Sequence, residues 1–184
     1  MNRTEIIVGG VGGQGVVLSG ILLGTAATVF DQKKAVQTQS YSSELRGGSA
    51  RTEVIISEEP ISDPQVRKAD IFIALAEEAL PRDIDKLKPG GLVIVDSDMA
   101  AGPKQGNYEI VRIPATSIAE KEMGNPIVAN LILLGALIKR SPVVSIDSME
   151  KAIEFSVPPK AKMLNVTAFR RGLAMDARVE EACR

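Results

Sequence analysis

The sequence predicts an α/β fold: a three-layer α/β/α sandwich on a mostly parallel, mixed sheet of about 6–7 strands. Three observations predict it. Short apolar runs alternate with helical segments through most of the 184 residues. The first apolar run, Ile6-Ile7-Val8, passes through a glycine-rich turn into a second, Val16-Val17-Leu18. This is the pattern of a buried parallel strand feeding a buried helix. The last third of the chain reads as helix after helix, giving a helical C-terminal tail.

Thr4 to Gly9 reads as the first strand. Five glycines follow within the seven residues from Gly9 to Gly15. Glycine permits positive φ and leaves no side chain between backbone and ligand. Such a turn places free N–H groups and a helix N-terminus at the strand end, where an anion can bind. Gly10, Gly12 and Gly15 also fit the dinucleotide spacing G-x-G-x-x-G, so the first βα unit is Rossmann-like. A dinucleotide site also wants an acid at the end of the second strand. Here the candidate strand Ala35 to Gln39 runs into Ser40-Tyr41-Ser42-Ser43, and the first acid beyond it is Glu44. Tight packing of strand on helix is the alternative reading of the glycines.

Val16 to Val29 reads as a helix whose small residues, Ser19, Gly20, Gly24, Ala26 and Ala27, allow close approach to the sheet. Ala50 to Ser57 is a strand too close to its predecessor for an intervening helix, which predicts an antiparallel pair. Asp70 to Leu75 is a strand, and Glu77 to Leu87 a helix with Pro81 in its early part. Lys88-Pro89-Gly90-Gly91 reads as a strong break before a strand from Leu92 to Val95, ending at Asp96. Tyr108 to Ile113 is a further strand, stopped by Pro114. Thr116 starts a short helix. Asn125 can cap and Pro126 can open a core helix, Ile127 to Ile138, which is apolar nearly all round. Asp147 to Phe155 and Lys160 to Val179 complete the helices. The last carries Val166, Phe169, Leu173 and Ala177 on one face. No linker interrupts the pattern, so one domain over 1–184 is expected.

Composition limits the chemistry. Net charge is −1, which gives no bulk basic footprint for nucleic acid. With no tryptophan and 3% aromatic residues, an aromatic surface for single-stranded nucleic acid is not expected. No signal peptide is legible, and the longest apolar stretch is too short for a bilayer. A cytoplasmic protein with no membrane partner is the expectation. There is no histidine, and Cys183 is the one cysteine. The common general base is therefore missing, and one cysteine cannot hold an iron–sulfur cluster or a structural zinc. No metal site and no catalytic residue are assigned, and any redox cofactor is expected on another chain.

A second unusual stretch is Glu44-Leu45-Arg46-Gly47-Gly48. Two glycines beside an arginine allow a tight turn that presents a guanidinium, the side chain that holds phosphate or carboxylate in a bidentate fork. Loops after strands in doubly wound sheets gather at the carboxyl edge, so this loop is expected near Gly12–Gly15. A surface ion pair of Arg46 on a glycine hairpin is the alternative.

Gly10-Val11-Gly12-Gly13-Gln14-Gly15 closing the first strand, with Glu44-Leu45-Arg46-Gly47-Gly48 after the second, resembles the gamma subunit of 2-oxoacid:ferredoxin (acceptor) oxidoreductases. The resemblance continues through Arg51 to Ser57. It includes Asn165, Ala168-Phe169 and Gly172 in the tail and covers essentially the whole chain. Gln39 to Glu44 looks closest to the 2-oxoglutarate or general 2-oxoacid branch, although Ser42 stands where relatives often carry glycine.

The resemblance implies a non-catalytic subunit of a heteromultimer. That enzyme oxidatively decarboxylates a 2-oxoacid such as 2-oxoglutarate, makes an acyl-CoA and passes electrons to ferredoxin. Partners of alpha, beta and ferredoxin-like delta type are implied, with thiamine diphosphate and iron–sulfur clusters on those chains. Coenzyme A is implied as shared. The residues expected to take part in binding are Gly12, Gly13, Gln14, Gly15, Arg46, Gly47 and Gly48. The rivals are a stand-alone nucleotide-binding protein or NAD-dependent dehydrogenase, and a purely structural assembly subunit.

Three further features have bland readings. Asp96-Ser97-Asp98 reads as a capped turn rather than a metal pair. Asn130 reads as a satisfied buried amide rather than a ligand or partner contact. Lys160, Lys162, Arg170 and Arg171 read as a solvated helix face.

Overall fold

A computed structural model describes residues 3–41, 48–175 and 179–181, the last three through their backbone alone. The strands are β1 (Arg3–Val11), β2 (Lys34–Tyr41), β3 (Ser49–Ser57), β4 (Ala69–Ala74), β5 (Leu87–Asp96), β6 (Tyr108–Ile113) and β7 (Val179–Glu181). They form one sheet in the order β2-β3-β1-β4-β5-β6-β7. β1, β4, β5 and β6 are parallel neighbours. β3 lies antiparallel between β1 and β2, as the short connection requires.

Side-chain alternation divides the sheet into two faces. Ile6, Val8, Val54, Ile56, Ile71, Ile73, Ile94, Val111 and Ile113 face one core. It is closed by α1 (Val16–Thr25), α3 (Ala115–Met123), α4 (Ala129–Arg140), α5 (Ile146–Ser156) and α6 (Lys162–Leu173). Ile7, Ile55, Phe72, Val93, Val95 and Ile110 face the other. That side is covered thinly, by α2 (Ala79–Asp83) and by Val66 and Ala100. The sandwich is lopsided because most connections return over the first face.

The thick layer is held by a backbone contact. A Cβ on Gly135 of α4 would lie 2.1 Å from the Phe169 carbonyl oxygen. A Cβ on Gly172 of α6 would lie 2.0 Å from the Ile132 carbonyl oxygen. Only glycine at both positions lets these helices meet.

Four expected boundaries shift. The first helix passes at Ala26–Phe30 into a π turn, with the Asp31 N–H bonded to the Ala26 carbonyl at 2.9 Å. Asp31 is held in turn by Ser145 and Ser148. The helix expected over Glu77 to Leu87 contracts to α2 and a 3-10 turn, Ile84–Lys86.

Lys88-Pro89-Gly90-Gly91 is not a break before a strand but lies inside β5. Gly90 takes φ +78° there, and the β4–β5 register shifts between Ala69 and Ile71. The last helix stops at Leu173, not Val179, and β7 pairs with β6. A three-residue edge strand carries no periodicity of its own, so the helical stripe in the sequence continues past the end of the helix.

Candidate functional site

The carboxyl ends of β1 and β4 are where the sheet changes hand. β1 leads to α1 on the first face, and β4 leads to α2 on the second. Ligands of open α/β sheets bind in the crevice at such a switch. Two bonds fix its geometry. The Leu75 N–H donates to the Gly9 carbonyl at 2.8 Å, and Gln14 Nε2 donates to the Leu75 carbonyl at 2.9 Å.

The glycine turn is built from within. Gln14 Oε1 accepts the Val11 N–H at 2.8 Å, so the Gln14 side-chain amide ties the turn to both strands. Gln14, expected among the binding residues, therefore has a side-chain amide already bonded at both ends. Gly13 has φ +94° and a Cβ direction that meets nothing within 4 Å. Gly15 has φ +72° and caps α1, with no side-chain cap. The N–H groups of Val16, Val17 and Leu18 belong to the first turn of the helix, where no intrahelical acceptor exists. None has an acceptor among the described residues.

Asn130 underlies this turn. It is 2% exposed, and its Nδ2 donates to the Gly15 carbonyl and to Ser19 Oγ, each at 3.2 Å. Its Oδ1 is buried with no hydrogen-bond partner among the described residues. A Cβ on Gly15 would lie 2.5 Å from Asn130 Nδ2, so Gly15 and Asn130 fit only as a pair. The satisfied-amide reading therefore holds for the nitrogen and not for the oxygen.

The two glycine motifs meet. The Gly12 N–H donates to the Gly48 carbonyl at 2.9 Å. Glu44, Leu45, Arg46 and Gly47 lie outside the described residues.

Across the crevice stands Asp96 at the end of β5. Its Oδ1 accepts the N–H groups of Asp98, Ala115 and Thr116, and its Oδ2 accepts Thr116 Oγ1 at 2.6 Å. Asp98 Oδ2 accepts the Ser117 N–H at 2.6 Å. The pair thus caps α3 from the end of β5, in line with the capped-turn reading. Burial pushes the Asp96 carboxyl above the usual carboxylate range, against the pull of the Thr116 and Asp98 hydrogen bonds.

Between the glycine turn and this cap lies a cavity of about 230 Å³. Leu75, Met99, Pro126, Ile127 and Ala129 give it an apolar wall. Ile127 is 63% exposed although the rest of its apolar run is buried. Asn125 Oδ1 accepts the Ile127 N–H at 3.1 Å and fixes the short 3-10 turn Pro126–Val128 that holds this side chain out. Sequence reasoning did not assign Leu75, Met99 or Ile127 to a site. They come from three different connections, and no spacing links them.

A second group escaped it too. Asp83 is wholly buried, with Arg82 Nη2 at 2.7 Å and Arg51 Nε at 3.3 Å. Arg51 also pairs with Glu53. Burial lowers the Arg51 pKa, Asp83 opposes that, and Arg82 adds to it. This network pins α2 beside Gly9, where a Cβ would lie 2.8 Å from Ala79 Cβ.

The full length of this arrangement has counterparts. Residues 5–175 match the pyruvate ferredoxin/flavodoxin oxidoreductase family. The chain belongs to that family. It is 46% identical over 172 residues to the 2-oxoglutarate synthase subunit KorC of Methanocaldococcus jannaschii, covering 92% of each chain. It is 46% identical to the KorC subunit of Methanothermobacter marburgensis, covering 92% of this chain and 95% of that one.

In three dimensions it resembles the gamma subunit of a keto/oxoacid ferredoxin oxidoreductase from Geobacter sulfurreducens. The TM-score is 0.84 at 39% identity, covering 94% of this chain and 95% of that chain. It also matches a 31% portion of the 2-oxoglutarate:ferredoxin oxidoreductase of Magnetococcus marinus, with TM-score 0.82 and 25% identity. In this family the same fold thus occurs as a separate subunit and as part of a longer chain. The dehydrogenase rival is not favoured by the sheet order. Antiparallel β3, and not a parallel second strand, lies beside β1.

Proposed function

We propose that this chain is the non-catalytic gamma subunit of a 2-oxoacid:ferredoxin oxidoreductase of the 2-oxoglutarate type. In that reading the complex oxidatively decarboxylates the oxoacid, forms the acyl-CoA and reduces ferredoxin. Alpha, beta and ferredoxin-like delta subunits carry the thiamine diphosphate and the iron–sulfur clusters. The observation that carries the reading is near end-to-end similarity to KorC subunits. The chain's composition supports it, with no histidine and a single cysteine.

The glycine edge is proposed to help hold coenzyme A. Open N–H donors of the α1 first turn suit a phosphate, with Gly12, Gly13, Gln14 and Gly15 shaping the turn. Gly48 is bonded to Gly12, so the described end of the Arg46-Gly47-Gly48 motif lies beside the donors. Arg46 would supply the charge, adding about 1.5–3 kcal/mol to the roughly 0.3–1 kcal/mol of a helix terminus. The apolar cavity beside the turn suits an aliphatic arm.

The test is reconstitution with partner subunits. The chain alone, given 2-oxoglutarate, coenzyme A, thiamine diphosphate and a viologen dye, should reduce no dye. Turnover by the chain alone would overturn the subunit reading. In the complex, Arg46→Ala should raise the apparent KM for coenzyme A or weaken assembly. An Arg46→Ala complex that assembles normally with unchanged coenzyme A dependence would leave the glycines as turn chemistry, the purely structural reading.

A further inference from the structure

One polar side chain interrupts the apolar run of α4, and it lies under the open end of α1. From Ala129 to Ile138 the sequence is Ala-Asn-Leu-Ile-Leu-Leu-Gly-Ala-Leu-Ile, in which only Asn130 is polar. Every residue of that run is buried. Burying an amide costs free energy unless its polar atoms are bonded. Asn130 meets that condition by half. Its Nδ2 has two acceptors, and its buried Oδ1 has no partner among the described residues. An apolar side chain would fill the same place without an unpaired oxygen, so packing does not account for the amide.

The Gly15 carbonyl does account for it. That oxygen accepts the Ser19 N–H at 2.9 Å, the ordinary helical bond, and then two more donors. These are Ser19 Oγ at 2.9 Å and Asn130 Nδ2 at 3.2 Å. Three donors thus converge on an oxygen with two lone pairs. Asn130 Nδ2 also donates to Ser19 Oγ, which joins the three groups into one network. The Gly15–Val16 peptide is trans, so its C=O and N–H point in opposite directions. A carbonyl drawn inward by three donors therefore holds the Val16 N–H outward. Donation to a carbonyl also polarises the peptide group and strengthens the N–H on its far side. Val16 is the first residue of α1, and its N–H has no acceptor among the described residues.

We propose that Asn130 is a positioning residue for anion binding: through the Gly15 carbonyl it aims and polarises the Val16 N–H, the donor that meets a phosphate oxygen of coenzyme A. This rests on the reading of the glycine edge as part of the coenzyme A site. It adds to that site a side chain from α4, 115 residues along the chain from the carbonyl it bonds. The chemistry of the position fits the role. A side-chain amide carries two N–H donors on one nitrogen, so it serves Gly15 and Ser19 together without a charge. A buried lysine or arginine would donate as well, but would bring an unpaired charge into the core. The unpaired Oδ1 comes with the nitrogen that the turn requires.

The test compares Asn130→Leu, Ser19→Ala and Gly13→Ala in the reconstituted complex. Asn130→Leu removes the donor and its unpaired oxygen together. The KM for coenzyme A should rise about tenfold, the size of one hydrogen bond to a charged group, with the KM for 2-oxoglutarate unchanged. Saturating coenzyme A should restore turnover. Ser19→Ala removes one of the three donors and should raise the same KM by less; it carries the test should Asn130→Leu fail to fold. In the isotope-labelled chain alone, inorganic phosphate should shift the Val16 amide resonance, and both variants should need more phosphate for the same shift. Gly13→Ala separates the two claims. If it raises the KM for coenzyme A and neither Asn130→Leu nor Ser19→Ala does, the turn holds the ligand and the positioning role is wrong. If none of the three changes that KM and phosphate leaves the Val16 amide unmoved, the coenzyme A reading of this edge falls and the positioning role falls with it. A loss of stability in Asn130→Leu with both readouts unchanged would make Asn130 a core residue and nothing more.

Discussion

Two helix N-termini face each other across the crevice, and they are finished in opposite ways. The α3 terminus is closed: Asp96 and Asp98 accept the N–H groups of Ala115, Thr116 and Ser117. The α1 terminus is open: Gly15 caps it without a side chain, and its first-turn donors lack acceptors among the described residues. A carboxylate that caps a helix supplies the charge an incoming anion would otherwise supply. The closed end therefore serves stability, and at the other end no described residue offsets the field of the first turn. The carboxylate and the glycines lie in one crevice, so the contrast is between residues and not between locations.

The sharpest way to break the contrast is to put a side chain at the open end. Gly15→Val places a β-branched residue at φ +72° and drives its Cβ into Asn130. We expect a loss of about 4 kcal/mol in urea unfolding, from left-handed strain plus displaced hydrogen bonds. The interaction is testable by a cycle with Asn130→Ala. Removing the amide makes room, so the double variant should lose clearly less than the sum of the singles. Additivity would mean that Gly15 is required for its backbone alone.

Opening the closed end comes next. Asp96→Ala leaves the buried Ala115 N–H and its neighbours unpaired and should cost about 2–3 kcal/mol. In a reconstituted complex that remains folded, the coenzyme A dependence should be unchanged. A raised KM for coenzyme A would show that Asp96 belongs to the ligand site and not only to α3.

Gly13→Ala probes the opposite balance. Its Cβ enters open space, so only the strain at φ +94° counts, about 1–2 kcal/mol. If the turn holds a phosphate, the new methyl group stands where backbone must approach it, and the KM for coenzyme A should rise about tenfold, equal to about 1.4 kcal/mol. A stability loss without that rise would place the ligand elsewhere.

How far the sequence revealed this depended on whether a signal was local. The turn Gly9–Gly15, the Asn125–Pro126 cap and the antiparallel β3 each follow from a few adjacent residues. The approach of Gly48 to Gly12 was legible too, because topology brings strand ends together, while the rest of that loop lies outside the described residues. Asp96 was legible as a cap but not as the cap of α3, since its partners lie on the far side of β6. The cavity wall of Leu75, Met99 and Ile127 was not legible. Each looks like an ordinary apolar residue until the sheet order sets three connections side by side. The end of α6 was misread for the converse reason: a local period ran on where tertiary pairing of β7 with β6 took over.

The smallest expected effect is in pH dependence, and it separates the two termini without touching the glycines. Burial raises the folded pKa of Asp96 above its unfolded value. Between those two values the native state binds more protons than the unfolded state, so this residue's contribution falls as pH rises through the interval. Asp96→Asn removes that titration. Wild-type stability relative to Asp96→Asn should therefore be greatest at acid pH and decline as pH rises through the raised pKa, then level off. Asp31 gives the opposite sign. Burial would raise its pKa, but the hydrogen bonds from Ser148 and Ser145 and the charge of Lys33 together carry it below the usual value. Its contribution is present above the unfolded pKa and is lost as pH falls through the folded one. Urea titrations of wild type, Asp96→Asn and Asp31→Asn through the acid range should show slopes of opposite sign for the two differences. Slopes of the same sign would mean that the Asp96 carboxylate is stabilised by its four hydrogen bonds more than burial opposes it, and that the α3 cap is an ordinary ionised one.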